Sequence, residues 1–297
     1  MKELVQEFIA QVSEHSLFQA KYLEHWEINE EEQKELNCFL NFFVEVLHYD
    51  IGFIVDSYLF VNQMILEETL YFVKNNKYRY HSFEEVDSLV YSNSKYMGKY
   101  MTGVSISEYI WAPHIKMIRY FSQKLSMWEG NYLEIGPGGG QYLIKAIQSG
   151  RFQKFSACDV SKTSVERSNQ FLHYMGVGDF CTVKHQNFFD YSTEEKYDCI
   201  VMGEVLEHVE EPLQMLRKIN ELLSKQGRAF VTTVINGPTI DHICLFRNKE
   251  DIFELTKKAG FNVVDYICVT AGDISLEKAI RKNMAIDIAM IMKKNSE

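Results

Sequence analysis

The sequence has no CxxC pair among its six cysteines, no block of basic residues, and no uncharged run that approaches membrane-spanning length. Each absence narrows the reading. Cys38, Cys158, Cys181, Cys199, Cys244 and Cys268 lack paired spacing, and Cys158, Cys181, Cys199 and Cys268 fall in stretches that read as buried strands. They are expected to be free thiols in a reducing compartment. Lys and Arg number 31 against 41 Asp and Glu, a formal charge of −10 with no basic tract, which argues against an extended nucleic-acid footprint. Acidity alone names no partner, because a negative surface mainly keeps a protein dispersed. The start, Met1-Lys2-Glu3-Leu4, places an acidic residue where a secretory leader carries a basic region, so a cytoplasmic, membrane-free protein is expected. No internal repeat or low-complexity tract is present.

A chain of 297 residues that is 46% hydrophobic can build one large or two medium domains, and its pattern divides it in two. Residues 1–127 show helical periodicity with hardly any strand signal. Leu36, Phe39, Leu40, Phe43 and Leu47 recur on one helix face, and Ile51 to Leu66 is apolar on nearly every side, which predicts a buried helix. A polar stretch from Lys74 to Ser82 leads to a further helical segment, Ser94 to Lys124, placed to act as a lid. In residues 128–297 short apolar runs alternate with helical patterns, the signature of βαβ units in a mostly parallel sheet. Strands are expected at Asn131–Ile135, Lys154–Asp159, Cys181–His185, Asp198–Met202, Ala229–Val234, Phe261–Thr270 and Ile286–Lys293. Thr163 with Glu166 predicts a capping box for a helix closed by Gly176, and Asn248 predicts the cap of one that ends at Gly260. The fold class is therefore α/β, a Rossmann-like seven-stranded sheet behind an all-helical N-terminal domain.

Directly after the first expected strand comes Glu134-Ile135-Gly136-Pro137-Gly138-Gly139-Gly140-Gln141, then a helical run. Such a loop needs residues free to take positive φ and leaves room for a ligand against the backbone at a helix N-terminus. A dinucleotide fingerprint would need glycine at 141, where Gln141 stands. What remains is ExGxGxG, with Glu134, Gly136, Gly138 and Gly140, which resembles the first motif of class I S-adenosylmethionine (SAM)-dependent methyltransferases. The segment Glu204-Val205-Leu206-Glu207-His208-Val209, after the fourth strand, is similar to a second signature of that family and to the catalytic half of quinone-precursor O-methyltransferases. The resemblance covers Asn131 to Lys293.

The resemblance implies SAM as cofactor, with S-adenosylhomocysteine (SAH) as product, and sets the glycine loop beside its amino-acid part. Asp159, at the end of the second strand, can accept both ribose hydroxyls, or can merely begin a turn. Asn187 and Phe188 stand where the family carries an acid and an apolar residue near the adenine; Asn187 departs from that pattern, and Phe188 reads equally as core. Tyr96 and Tyr100, in an aromatic stretch upstream of the loop, are candidates to face a sulfonium or a flat acceptor.

Methyl transfer asks mainly for alignment and exclusion of water, and for a base only when the nucleophile is protonated. His208 and His242, the second in the polar segment Asn236 to His242, are the candidate bases, with Glu204 beside them. Glu204, Glu207 and His208 also resemble the metal ligands of quinone-precursor O-methyltransferases and small-RNA 2′-O-methyltransferases. The same letters occur in metal-free relatives and no further ligand stands out, so no metal is expected. The expected activity is methyl transfer to a small acceptor, a metabolite or natural-product intermediate, without nucleic acid or membrane and with a homodimer left open. The alternatives are an RNA or protein methyltransferase, a silent SAM-binding scaffold, or a separate activity of the helical half around His15, His25, His48, Glu67 and Glu68.

Overall fold

The structure, a computed structural model, describes residues 2–272 and 274–295; the extreme ends of both expected domains, Met1 and Ser296–Glu297, lie outside them. Helices come first: α1 (Val5–His15), α2 (Leu17–Leu23), α3 (Glu30–Glu45), α4 (Ile51–Asn75), α5 (Phe83–Val86), α6 (Ser94–Ile110) and α7 (Ala112–Leu125). A π-helical turn, Asp87–Tyr91, continues α5 toward α6. Asn29 and Glu32 form a reciprocal capping box that starts α3, and Leu36, Phe39, Leu40 and Phe43 are buried on one face, as their spacing predicts. The apolar stretch from Ile51 is only partly buried. Ile54, Val55, Tyr58, Val61 and Met64 face inward, whereas Leu66 and Leu70 are 52% and 62% exposed. The expected lid segment breaks into α6 and α7 at Trp111, which is extended, with Pro113 just beyond it supplying no backbone donor.

The second half alternates as expected: β1 (Gly130–Ile135), α8 (Gln141–Gln148), β2 (Phe152–Asp159), α9 (Lys162–Tyr174), β3 (Val183–His185), β4 (Tyr197–Met202), α10 (Pro212–Leu222), β5 (Leu223–Ile235), α11 (Lys249–Lys258), β6 (Phe261–Thr270), α12 (Leu276–Lys282) and β7 (Ile286–Lys294). These seven strands form one sheet in the order β3-β2-β1-β4-β5-β7-β6. Only β7 runs antiparallel to its neighbours, so its first residues lie at the same edge as the C-terminal ends of β1, β2, β4 and β5. Open α/β sheets bind ligands at that edge. One cap differs from expectation: Ser161, not Thr163, starts α9, because its hydroxyl accepts the Ser164 N–H at 3.3 Å. Asn248 caps α11 as predicted, accepting the Asp251 N–H at 2.9 Å.

The hydrophobic core is continuous across the expected 127/128 division. It runs from Phe8 and Val12 through Phe39 and Phe42 to Phe171 on α9 and Phe230 on β5, with the Phe39 and Phe171 rings 3.9 Å apart. A buried arginine reinforces the join: Arg167 on α9 donates to Thr102 Oγ1 (2.9 Å), the Gly98 carbonyl (2.9 Å) and the Tyr49 hydroxyl (2.7 Å). The other face of the sheet packs on α10 and α11 through a separate cluster that includes Leu216, Ile219 and Ile252. The helices are thereby held over the ligand-binding edge.

Helix α6 reaches its place by pressing against α4 at Gly103. A Cβ there would fall 2.3 Å from the Ser57 carbonyl oxygen and 2.6 Å from Val61 Cγ2. Gly103→Ala should destabilise the protein by about 1–3 kcal/mol through overpacking, although alanine is the better helix former by ~1 kcal/mol. Urea unfolding checks this, the expected result being a lower midpoint at constant slope.

Candidate active site

A cavity of about 1350 Å³ lies between the C-terminal edge of the sheet and α4, α6, α7 and the π-helical turn. It exceeds the ~300–1000 Å³ typical of one drug-sized ligand, so it has room for two. Its floor is the glycine loop. Gly136 (φ +65°) passes so near β4's loop that a Cβ would meet Val205 Cγ2 at 2.6 Å, while at Gly138 (φ +53°) a Cβ would meet nothing within 4 Å. The first glycine serves close packing; the second leaves backbone open to the cavity. Gln141, at the start of α8, lines the cavity with its buried Nε2 lacking a partner.

Asp159, Asn187 and Phe188 line the same end. Burial pushes the Asp159 carboxyl up to about 6, against backbone N–H groups at Ser161 and Gly138 that favour the charge. Asn187 Oδ1 accepts the Phe189 N–H at 2.9 Å, capping a short 3₁₀ turn, so part of its polar capacity is already used locally. Three expected cofactor residues stand elsewhere. Glu134 is buried beneath the loop, accepts the Tyr132 hydroxyl and does not line the cavity; burial pushes its carboxyl up to about 8. Gly140 (φ +81°) opens α8 behind the loop, also outside the lining. Tyr96 packs edge-on against Phe60 at 5.2 Å, leaving Tyr100 as the lining tyrosine of the pair.

Past β4 the chain turns sharply. Glu204 takes φ +49°, costly for a residue with a Cβ, and its buried Oε1 has no partner. Glu207 is wholly buried; Oε2 accepts the Thr233 hydroxyl at 2.6 Å, while Oε1 is unpartnered. That orphan oxygen lies 3.8 Å from His208 Nε2 and 3.9 Å from His242 Nε2. The tautomers follow from the far side of each ring. His208 Nδ1 lies 2.9 Å from the Asp241 carbonyl, and His242 Nδ1 lies 2.5 Å from the Gly237 carbonyl. A carbonyl only accepts, so each Nδ1 carries the proton and each Nε2 presents a lone pair toward Glu207. Burial, then the neighbouring His208, lower His242 to about 3, keeping it neutral, while burial and Glu204 hold the Glu207 carboxyl well above its ordinary range.

Glu207, His208 and His242 place one ligand atom each within 4.8 Å of one another. Their second nitrogens are oriented by backbone carbonyls, as ligating imidazoles usually are, and the orphan Glu207 and Glu204 oxygens suit a cation. The donor set fits a divalent metal, against the sequence expectation of none. His242, about 34 positions beyond the motif, is the ligand that spacing could not supply.

Sequence reasoning missed a second acidic group. Glu108 on α6 and Asp287 on β7 line the cavity with Glu204, and burial together with their mutual repulsion pushes Glu108 up to about 8. His114 stands 3.6 Å from Glu108 and is lowered to about 4 by burial, so it brings no charge at neutral pH. The antiparallel return of β7 beside β5 sets Asp287 opposite Val234 and brings it to the cavity that Glu108 and Glu204 also line.

Residues 114–266, just over half of the chain, match the family model described as a methyltransferase domain. The chain belongs to the class I SAM-dependent methyltransferases. The ubiquinone biosynthesis O-methyltransferase of Coxiella burnetii (strain Dugway 5J108-111) is 25% identical over 155 residues, 50% of this chain and 62% of that protein. Its counterpart in Xanthomonas euvesicatoria pv. vesicatoria (strain 85-10) is 25% identical over 152 residues, with the same coverage. The match thus spans less than two thirds of these relatives. Among solved structures, mitomycin 7-O-methyltransferase aligns with a TM-score of 0.54 at 13% identity, covering 78% of this chain and 68% of that one. The cyclopropane synthase of Mycobacterium tuberculosis aligns at 0.50 with 14% identity, covering 61% and 84%. At these identities the structural likeness speaks to the fold.

The Asp159 geometry generates a signed pH dependence. Ribose hydroxyls donate to the ionised carboxylate, so SAH affinity should rise as pH increases through about 6. Asp159→Ala should weaken SAH binding by tenfold or more and flatten that dependence, measured by calorimetry between pH 5 and 8. Unchanged affinity would show that the ribose lies elsewhere.

Proposed function

We propose that this protein transfers a methyl group from SAM to a hydroxyl of a small acceptor held beneath the helical cap. One observation carries the reading: the glycine loop with Asp159 and the residues Glu204, His208 and His242 line the same cavity, with the buried Glu207 carboxyl behind the two imidazoles. When bound, SAM supplies an electrophilic methyl on a sulfonium. The chain's own contribution is placement. Asp159 would hold the ribose, Gln141 Nε2 would donate to the amino-acid end, and Asn187 with Phe188 would flank the base. The cap, residues 1–127, would enclose the acceptor over a cofactor-binding unit, residues 128–297, and exclude water from the transfer.

Glu204, Glu207, His208 and His242 would hold a divalent cation whose Lewis acidity favours the ionised form of an acceptor hydroxyl. A second reading, in which His208 accepts the hydroxyl proton directly, is supported by the same tautomer, which leaves Nε2 unprotonated in a ring that lines the cavity. The relatives' names support a hydroxyl acceptor, and the acidic groups Glu108, Glu204 and Asp287 disfavour an anionic one such as an RNA phosphate backbone. Among the described residues no helix is long and apolar enough to cross a membrane, and the six cysteines are free, which supports a cytoplasmic setting.

The test is to incubate the full chain with methyl-labelled SAM and a fractionated small-molecule extract of its source, with and without chelator. Label in a small hydroxylated compound is the expected outcome; label confined to RNA or protein overturns the acceptor class. Manganese or zinc should bind the wild type at one site, and Glu207→Gln with His242→Ala should weaken that binding by a hundredfold or more. Activity that survives chelator but is lost in His208→Ala would favour the direct-base reading.

A further inference from the structure

The cap is fastened to the loop beside the cation cluster by a carboxylate that this chemistry does not use. Asp241, next in sequence to His242, is 2% exposed and accepts three hydroxyl hydrogens. Thr239 donates to Oδ1 at 2.8 Å, Tyr91 to Oδ2 at 3.1 Å, and Tyr100 to Oδ2 at 3.0 Å. Among the described residues no lysine or arginine forms an ion pair with it, and its one imidazole neighbour in ion-pair range is His208, whose Nδ1 lies 3.6 Å from Oδ2. Two of those donors belong to the cap: Tyr91 closes the π-helical turn and Tyr100 lies on α6. Hydrogen bonds to an ionised acceptor are the stronger kind, and here they span two separate parts of the chain.

Asp241 also acts through its backbone. Its carbonyl takes the proton of His208 Nδ1 at 2.9 Å and its Oδ2 lies 3.6 Å from the same nitrogen, so the residue that draws down both tyrosines also sets which nitrogen of His208 carries the proton. The turn it holds is an irregular one. Segment Phe83–Tyr91 lines the cavity through Phe83, Asp87, Ser88 and Tyr91, and is tied at its other end by the Phe83 N–H donating to Glu210 at 2.7 Å. Single π-type turns recur at functional sites because their helix is easily remodelled.

We propose that Asp241 is a positioning residue that latches this segment shut and, in the same act, fixes the His208 tautomer, so that enclosure of the ligands and alignment of His208 are one event. The proposal rests on the methyltransferase reading of the cavity. Its consequence is that bound cofactor product can leave only after Tyr91 and Tyr100 release the carboxylate.

The test uses the full chain, SAH as ligand, and Asp241→Asn, Tyr91→Phe and Tyr100→Phe singly and combined. Asp241→Asn should raise amide deuterium uptake in residues 83–101 of the ligand-free protein and speed SAH dissociation by about tenfold. Adding both tyrosine changes to Asp241→Asn should add little, because the latch is already open. Nitrogen-15 spectra should show the His208 ring moving from one tautomer toward a mixture in Asp241→Asn, a change that mere loss of stability would not produce. Uptake unchanged in residues 83–101, or tyrosine effects that add in full, would overturn the latch. Should Asp241→Asn fail to fold, the double tyrosine variant, which keeps Asp241 and its Thr239 bond, must still open residues 83–101 or the proposal falls. Absence of SAH binding to the wild type would sink the methyltransferase reading instead, while the ligand-free exchange experiment would still judge the latch.

Discussion

Carboxylates buried, among the described residues, without a lysine or arginine partner are the constraint around which the cavity is organised. Removing a charged carboxylate from water costs several kcal/mol unless a counter-charge or hydrogen bonds replace the solvent. Glu207 is wholly buried with one oxygen orphaned, Glu204 hides another in a backbone conformation that itself carries strain, and Glu108 and Asp287 face the same space. Two arginines of the interior and its margin serve other contacts: Arg167 joins α9 to α6, and Arg119 pairs with Glu32. Burial answers that cost by raising these carboxyls, Glu108 to about 8 and Glu207 well above its ordinary range, so a cation that favoured their ionised forms would be stabilised against it. Differential stabilisation of that kind is what a binding site needs.

The parts that can tolerate such cost are those with strong support around them. Four strand ends converge on the site, and the Glu207 carbonyl accepts N–H groups from both Ile243 and Cys244, at 3.0 and 2.9 Å, which holds the His242 loop against the Glu207 turn. The two imidazoles then face each other edge to face, with centroids 4.6 Å apart. Rigidity here is supplied by backbone hydrogen bonds rather than by side-chain packing. Residues fixed in this way present their lone pairs without having to reorganise at the moment of reaction.

Much of this was legible in the sequence, and what was not has a physical reason. Strand positions could be read because buried parallel strands are continuous apolar runs between turn residues, and the glycine loop because positive φ restricts the choice of residue. Direction was harder. Glu134 belongs to the expected motif, yet β-strand alternation turns it onto the Tyr132 side, away from the cavity. Tyr96 and Tyr100 lie four positions apart on one helix, but only Tyr100 reaches Asp241, while Tyr96 is taken up by Phe60. Ser161 rather than Thr163 caps α9 because both are plausible caps and the tertiary exit of β2 decides between them. Glu108, His114 and Asp287 carry no local signature, and Asp241 is set apart only by the polar segment Asn236 to His242. Their proximity is a product of sheet order, specifically of β7 returning antiparallel to β5 so that Asp287 lies opposite Val234.

The same packing limits how ligands can enter. A cap that swung away as a rigid body would have to separate Phe39 and Phe42 from Phe171 and expose the Arg167 guanidinium, giving up the interior that joins the two halves. A smaller movement needs far less. Val86, Val90, Met97 and Met101 form a satellite cluster with Ile243 that is separate from the main core, and they belong to the π-helical turn, the short helix before it and the start of α6. Local opening draws on segments with few core contacts, because the free energy lost scales with the apolar surface and hydrogen bonds given up. The route in and out of the cavity that the proposed latch would govern therefore runs past Tyr91, which lines the cavity beside His208.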